Sequence, residues 1–318
     1  MNTLFDQIVA AHQAIRPQVR VTPLDYSPQL SLALGCKLFL KCEHLQHTGS
    51  FKFRGATNKL LQLSAAEREN GVISASTGNH GQAIAYAGQL AGVPITVYAP
   101  TTAATVKLDA IRAFGGKVEL VEGGALNSEL EASREATARS IPFVSPYNDI
   151  DIVAGQGTCG MELVEQAPEL DAVFVACGGG GLISGIGTVL KTLSPHTQVI
   201  GCWPENATSL YSNLEAGHIF EVEEQDTLSD GTAGGVELGA ITFPICQRVI
   251  DRKVLVSEQE IKAAMGLIAR TDRWMIEGAA GVALAAAIQL APEFQGKKVA
   301  VVLCGKNIVL EKFVKAVG

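Results

Sequence analysis

Apolar positions along this chain fall into two alternating patterns. Short runs rich in Val, Ile, Leu and Phe (KLFLKC, GVISAS, ITVYAP, VELVEG, DAVFVACG, QVIGCWPE, KVLVS and KVAVVLCG) read as strands. Most are followed by Ala-rich amphipathic stretches, and at the amino terminus Leu4, Phe5, Ile8, Val9 and Ile15 are spaced as a helix spaces its buried face. This alternation predicts an α/β protein with open, mostly parallel twisted sheets covered by helices on both faces. No repeat of fixed period and no low-complexity linker interrupts it. Several strands run directly into glycine-rich turns, and ligands of open α/β sheets sit at such strand ends.

Composition narrows the class. With 318 residues, 47% hydrophobic and 18% charged, the chain can bury one large core or two moderate ones. The net charge of -7 and 25 scattered Lys and Arg offer no basic stripe for a phosphate backbone, which argues against nucleic acid and for a small-molecule ligand. Seven cysteines, an odd number without a C-x-x-C pair, fit neither a disulfide framework nor a structural zinc site, so reduced thiols in a cytoplasm are expected. The amino terminus lacks the basic start and long apolar core of a signal peptide. The apolar run from Ala279 to Leu290 contains Gln289 and is too short to cross a bilayer, so no membrane partner is expected.

Three turns carry candidate chemistry. In Glu43 to Ala56 a polar turn opens a helix and places Lys52 in its first turn between Phe51 and Phe53. The positive helix end and apolar neighbours disfavour the charged amine and favour imine formation; a surface lysine at a helix start fits the same residues. In Ser74 to Gln82 a strand meets small and amide residues before the helix AIAYAGQLAG. That turn suits a carboxylate, with Asn79 able to bond a phenolic oxygen, although a simple capping turn and a packed His80 also fit. In Cys177 to Gly185 four consecutive glycines let backbone N–H groups converge on one anion. The dinucleotide fingerprint fails at Ser184 and there is no Walker lysine, so a phosphate monoester is favoured.

Together these motifs closely resemble the serine/threonine dehydratase and serine racemase family of fold-type-II pyridoxal phosphate enzymes. The resemblance runs from Thr22-Pro23-Leu24 to Asn307, through Gly49-Ser50-Phe51-Lys52, Ser76 to Gln82, Ala154-Gly155-Gln156-Gly157-Thr158, the tetraglycine loop and Asp230-Gly231. It implies a tryptophan synthase beta-like architecture, with pyridoxal 5′-phosphate in a cleft between a large domain (1–49 and 149–318) and a small mobile domain (50–148). It further implies Lys52 as the lysine joined to the cofactor and as the base at Cα, Phe51 beside the ring, and Asn79 on its phenolic oxygen. Gly178, Gly179, Gly180, Gly181 and Leu182 would hold the phosphate. Ser76, Thr77, Gly78, Asn79 and His80 would take the substrate carboxylate. Cys304 would face the pyridine nitrogen as a neutral partner, which favours prompt loss of a β leaving group. Lys41, Lys59 and Lys306 are the competing lysines.

The implied activity is dehydration of a β-hydroxy amino acid such as L-threonine or L-serine to a 2-oxo acid and ammonia, by a homodimer. Departures from the family shape the alternatives. Trp203 and Ser209 replace the two acidic ligands with which serine racemases hold a divalent cation, and Glu205 lies one residue off, so no metal is expected. Thr77 keeps the hydroxyl of the racemases' catalytic serine, which makes racemase the second activity, with Thr77 as its acid/base. Phe53-Arg54, in place of Asp-Arg, ranks cysteine synthase chemistry third. Gly305-Lys306-Asn307, Tyr147 and Thr232 to Glu237 resemble variants acting on hydroxyaspartate, phenylserine or hydroxyectoine-derived amino acids. A non-catalytic pyridoxal phosphate protein is a different class, and retention of Lys52, Asn79, the loop and Cys304 argues against it. With no regulatory domain after residue 318, a catabolic role without feedback is expected.

Overall fold

The computed structural model describes residues 3–318. All eight apolar runs form strands: β2 (Lys37–Lys41), β3 (Val72–Ala75), β4 (Ile95–Pro100), β5 (Lys117–Val121), β6 (Ala172–Ala176), β7 (Gln198–Pro204), β8 (Arg252–Val256) and β9 (Lys298–Val302). A ninth, β1 (Leu24–Tyr26), has only three residues, too few for a periodic pattern, and its existence depends on pairing with β2. Two sheets result, one of six strands in the order β1-β2-β9-β6-β7-β8 and one of three in the order β3-β4-β5. Among the strand pairings of the described residues, only β1–β2 is antiparallel. Strand β6 is buried at all five positions, as a central parallel strand covered on both faces must be.

The large sheet carries a core around Phe174, Ile183, Leu284 and Val301. A second core gathers Phe53, Ile84, Val97 and Ile111 near the small sheet. The amino-terminal segment is helical from Leu4 to Ile15 and buries Ile8, Ala11 and Ile15.

Three helices pack with almost no side chain between them. The helix Lys52–Gln62 meets the helix Ile150–Gln166 at Gly55 and Gly155, where a Cβ on Gly155 would lie 2.6 Å from Gly55 Cα. The helix Ile150–Gln166 meets Gly181–Leu193 at Gly157 and Gly185, where a Cβ on Gly185 would lie 2.5 Å from the Gly157 nitrogen. The Ala154 to Thr158 motif is therefore a packing device.

Under the Lys52 helix lies a fully buried ionic cluster. Arg54 donates to both oxygens of Glu43 (2.8 and 2.8 Å) and to both oxygens of Glu162 (2.7 and 2.8 Å). Lys41 Nζ donates to Glu162 (2.6 Å) and to the Thr22 carbonyl (2.7 Å). Two cations face two carboxylates with nearly every donor satisfied, the condition under which buried charge is tolerated. This cluster ties the first turn of the Lys52 helix to the end of β2.

Candidate active site

The site forms where β3, β6 and β9 end. Residues 49–51 lie against the turn after β9: Ser50 bridges Gly305 in antiparallel fashion, Phe51 N donates to the Cys304 carbonyl (3.1 Å), and Lys306 N donates to the Gly49 carbonyl (2.9 Å). Gly49 needs its freedom here, since its φ is +76° and a Cβ would strike Asn307. This clasp holds the start of the next helix, and Lys52 is that helix's first residue.

Lys52 Nζ donates to the Pro146 carbonyl (2.7 Å) and lies 5.2 Å from the centre of the Phe51 ring. Only one of the two flanking rings attends it. Phe53 turns the other way and packs with His47 and Tyr86, because adjacent helical residues point about 100° apart. Burial pushes the Lys52 amine down to about 8, with Cys304 and Glu277 nearby pulling the other way. The competing lysines are committed elsewhere or exposed. Lys41 belongs to the buried cluster, Lys59 pairs with Asp149 and Asp151, and Lys306 is exposed.

A depressed lysine has a direct consequence. The neutral amine predominates above about pH 8 at Lys52, whereas an ordinary lysine stays charged to near 10.5. Reductive alkylation of the apoprotein by an aldehyde, read by peptide mapping, is expected to label Lys52 with a rate rising through about pH 8. A rate that rises only near the ordinary lysine range would contradict this environment.

The turn after β3 carries Ser76, Thr77 and Gly78, and the helix Asn79–Ala91 follows. Ser76 Oγ accepts from Gly78 N (3.2 Å), and the first-turn amides of the helix lack partners within it, leaving an anion site. Thr77 is half-buried on this turn. His80 goes inward: its ring is buried, Nε2 lies 3.3 Å from the Val144 carbonyl, and burial, helped by Lys52, lowers it to about 3. It is a neutral imidazole at any working pH, so only its backbone can serve an anion on this turn.

Asn79 is held on both sides of its amide. Its Nδ2 donates to Glu277 Oε1 (2.8 Å), and its Oδ1 accepts from Asn307 Nδ2 (2.6 Å). Glu277 Oε2 accepts from Asn307 N (2.9 Å), and the Cys304 Sγ lies 4.0 Å from Oε1. Burial and Glu277 raise the Cys304 thiol, so it stays protonated and neutral. Glu277 is the residue that sequence reasoning missed. Its only signal was a lone carboxylate in Ile276-Glu277-Gly278, at the start of an otherwise apolar helix, where a cap explains it equally well.

The tetraglycine loop follows β6 and caps the helix Gly181–Leu193, with Gly180 in the left-handed region (φ +83°). A Cβ at Gly178 would press on the Thr232 backbone (3.0 Å), and one at Gly179 would enter the Tyr147 ring (2.4 Å). The backbone is bare because neighbours already occupy the side-chain space, and the first amides of the helix are left for an anion. Tyr147 adjoins Pro146, the acceptor for Lys52, so these two residues join the lysine to the loop. Its hydroxyl accepts from Glu237 N (2.9 Å), and Asn148 donates to Glu237 (3.0 Å), tying this segment to the long stretch before the helix Thr242–Val249.

These residues fit pyridoxal phosphate on structural grounds: an amine with a lowered pKa, a backbone cradle that side chains would fill, a fixed amide, and a thiol kept neutral. No group of three or more metal-type ligands occurs among the described residues. Ser209 is bonded to Glu224, and Glu205 is exposed.

Comparison with known proteins agrees with this geometry. A family model described as pyridoxal-phosphate dependent enzyme matches residues 15–305. The chain is 38% identical to a beta-hydroxyaspartate dehydratase of Paracoccus denitrificans, over 97% of each chain. It is 40% identical to an L-threonine ammonia-lyase of Thermotoga maritima, over 97% of this chain and 76% of that one. Among solved structures, the processed form of threonine deaminase isoform 2 from Solanum lycopersicum superposes with a TM-score of 0.94 at 34% identity, covering 98% of this chain and 92% of that one.

Proposed function

Because this chain belongs to the pyridoxal-phosphate dependent enzymes, in their fold-type-II form, we propose that it removes water from a β-hydroxy amino acid and releases a 2-oxo acid and ammonia. It is a lyase whose cofactor is pyridoxal 5′-phosphate. The observation that carries the reading is Lys52, a half-buried lysine held at the Pro146 carbonyl with its amine lowered to about 8.

When bound, the cofactor supplies a conjugated electron-withdrawing system that stabilises negative charge at the substrate Cα. Lys52 Nζ would hold it covalently, and its amine, lowered to about 8, is matched to taking the substrate Cα proton. The amides of Gly178 to Leu182 receive the phosphate, and Asn79 receives the phenolic oxygen. Ser76 to His80 receive the substrate carboxylate through hydroxyls and helix-start amides, fixing which Cα bond faces Lys52. Cys304 would sit beside the pyridine nitrogen as a neutral thiol, a partner that brings no charge to the ring. Thr77 is the acid/base on the other face if racemisation accompanies dehydration. Residues 50–148 act as a small mobile unit that closes over substrate, and the working form is a cytoplasmic homodimer.

The test is a panel of L-threonine, L-serine, D-serine, threo-hydroxyaspartate and phenylserine, assayed for both oxo acid and enantiomer. Oxo acid from at least one hydroxy amino acid is expected. Enantiomer without oxo acid would make the protein a racemase, and neither product from the whole panel would overturn the proposal.

A further inference from the structure

Glu277 is a carboxylate that the roles above leave unused. It is 5% exposed, lies at the start of the helix Gly278–Leu290, and points into the site rather than out to water. Its two oxygens receive two different donors, Asn79 Nδ2 on one and Asn307 N on the other. The fold makes room for it at some cost in side-chain freedom: a Cβ on Gly305, the residue after Cys304, would lie 2.4 Å from Oε1.

This arrangement decides how Asn79 presents itself. A carboxylate can only accept, so the Asn79 group facing it must be the NH2. Asn307 Nδ2, itself anchored on the Thr48 carbonyl (2.8 Å), can only donate, so the opposite face of Asn79 must be its oxygen. One hydrogen of Asn79 Nδ2 goes to Glu277, and the other is left to point at a ligand oxygen. Without the carboxylate only the Asn307 donor opposes a half-turn of the amide that would offer an acceptor instead.

We propose that Glu277 is a positioning residue that orients the Asn79 amide so that its free N–H meets the phenolic oxygen of the cofactor. The inference rests on the assignment of Asn79 to that oxygen. The charged and titratable groups around Glu277 are Lys52 from its helix, Cys304 from the end of β9, Asp230 from the loop before Thr232, and Lys107 from the helix Thr105–Ala113, which pairs with Asp230 at 2.8 Å. Burial raises the Glu277 carboxyl to about 7, with the donors Asn79 and Asn307 acting against the rise. Above that range both oxygens accept. Below it a proton occupies one of them and competes with a donor, so the hold on Asn79 strengthens as pH rises through neutrality.

The experiment uses the holoenzyme and two readouts, the absorbance of bound cofactor titrated across the neutral range and the dissociation constant for pyridoxal phosphate. Glu277→Gln keeps the shape of the side chain but has one acceptor for two donors. The wild type is expected to show an inflection near neutrality; the variant is expected to lack it and to bind cofactor about tenfold or more weakly, the scale of a lost charge-assisted hydrogen bond. A variant with wild-type inflection and affinity overturns the proposal, as does one that merely lowers the unfolding midpoint of the apoprotein. If Glu277→Gln does not fold, Asn307→Ala leaves the carboxylate and frees the oxygen side of Asn79. It is then expected to lose affinity while keeping the inflection, and unchanged affinity overturns the proposal. Asn79→Ala binding cofactor like the wild type would instead refute the assignment of Asn79 on which the inference depends.

Discussion

Lys52→Ala is expected to lose turnover by at least about a thousandfold while the protein stays folded and keeps weak, noncovalent affinity for pyridoxal phosphate. The substitution would remove both the proposed covalent anchor and the proposed base at Cα, and a positioned base alone contributes about 10² to 10⁴ in rate. The tetraglycine loop and Asn79 are untouched, so phosphate recognition persists. Stability is expected to hold, because the amine is unfavourably desolvated to begin with and its one hydrogen bond goes to the Pro146 carbonyl. Steady-state assay, bound-cofactor absorbance and urea unfolding separate these effects. Borohydride reduction of the wild-type holoenzyme followed by peptide mapping gives the complementary result, and a label on Lys41, Lys59 or Lys306 would remove Lys52 from its role.

The largest effect on stability is expected from Glu162→Ala. Glu162 accepts from two Arg54 nitrogens and from Lys41, and all three side chains are sealed from solvent. Removing it leaves two buried cations facing Glu43 alone, a loss of about 3–5 kcal/mol in unfolding free energy for a broken buried network. The urea midpoint should fall accordingly. A loss below about 1 kcal/mol, typical of exposed pairs, would mean that the cluster is open to water. Arg54 begins one residue beyond Phe53 on the lysine's own helix, so the same variant should also loosen cofactor binding.

Much of this was legible beforehand because it rests on local chemistry. Short apolar runs ending in turns gave eight strands, since a strand covered on both faces leaves a continuous apolar run whose short length and β-branched residues separate it from a buried helix such as Gly278–Leu290. Strand β1 was invisible because three residues cannot display a period. Lys52, the turn at Ser76 and the glycine loop were legible because each combines unusual residues with a helix start. The placing of Phe53 beside the lysine failed for a simple geometric reason, since neighbours in sequence are not neighbours on a helix face. His80 was ambiguous in sequence, and the structure turns its ring into the interior. Glu277 escaped, and Asn307 was singled out only within Gly305-Lys306-Asn307 without a role, because their meaning depends on pairing with Asn79, 198 and 228 positions away in the chain.

The glycine contacts between the three helices also set a length. The lysine starts one helix, the anion-binding amides start another, and both lean on the helix Ile150–Gln166 through backbone touching backbone, at Gly55 with Gly155 and at Gly157 with Gly185. Side chains can yield by changing rotamer, but backbone pressed on backbone cannot. If Lys52 anchors the cofactor and the tetraglycine loop holds its phosphate, as proposed, the span between them is gauged by main-chain atoms like the jaws of a caliper, and closure of the small unit pivots beyond the Gly55–Gly155 contact rather than through it. A cofactor would have to match that span, whereas a substrate met by the loop at Ser76 to Gly78 would be held by parts free to differ.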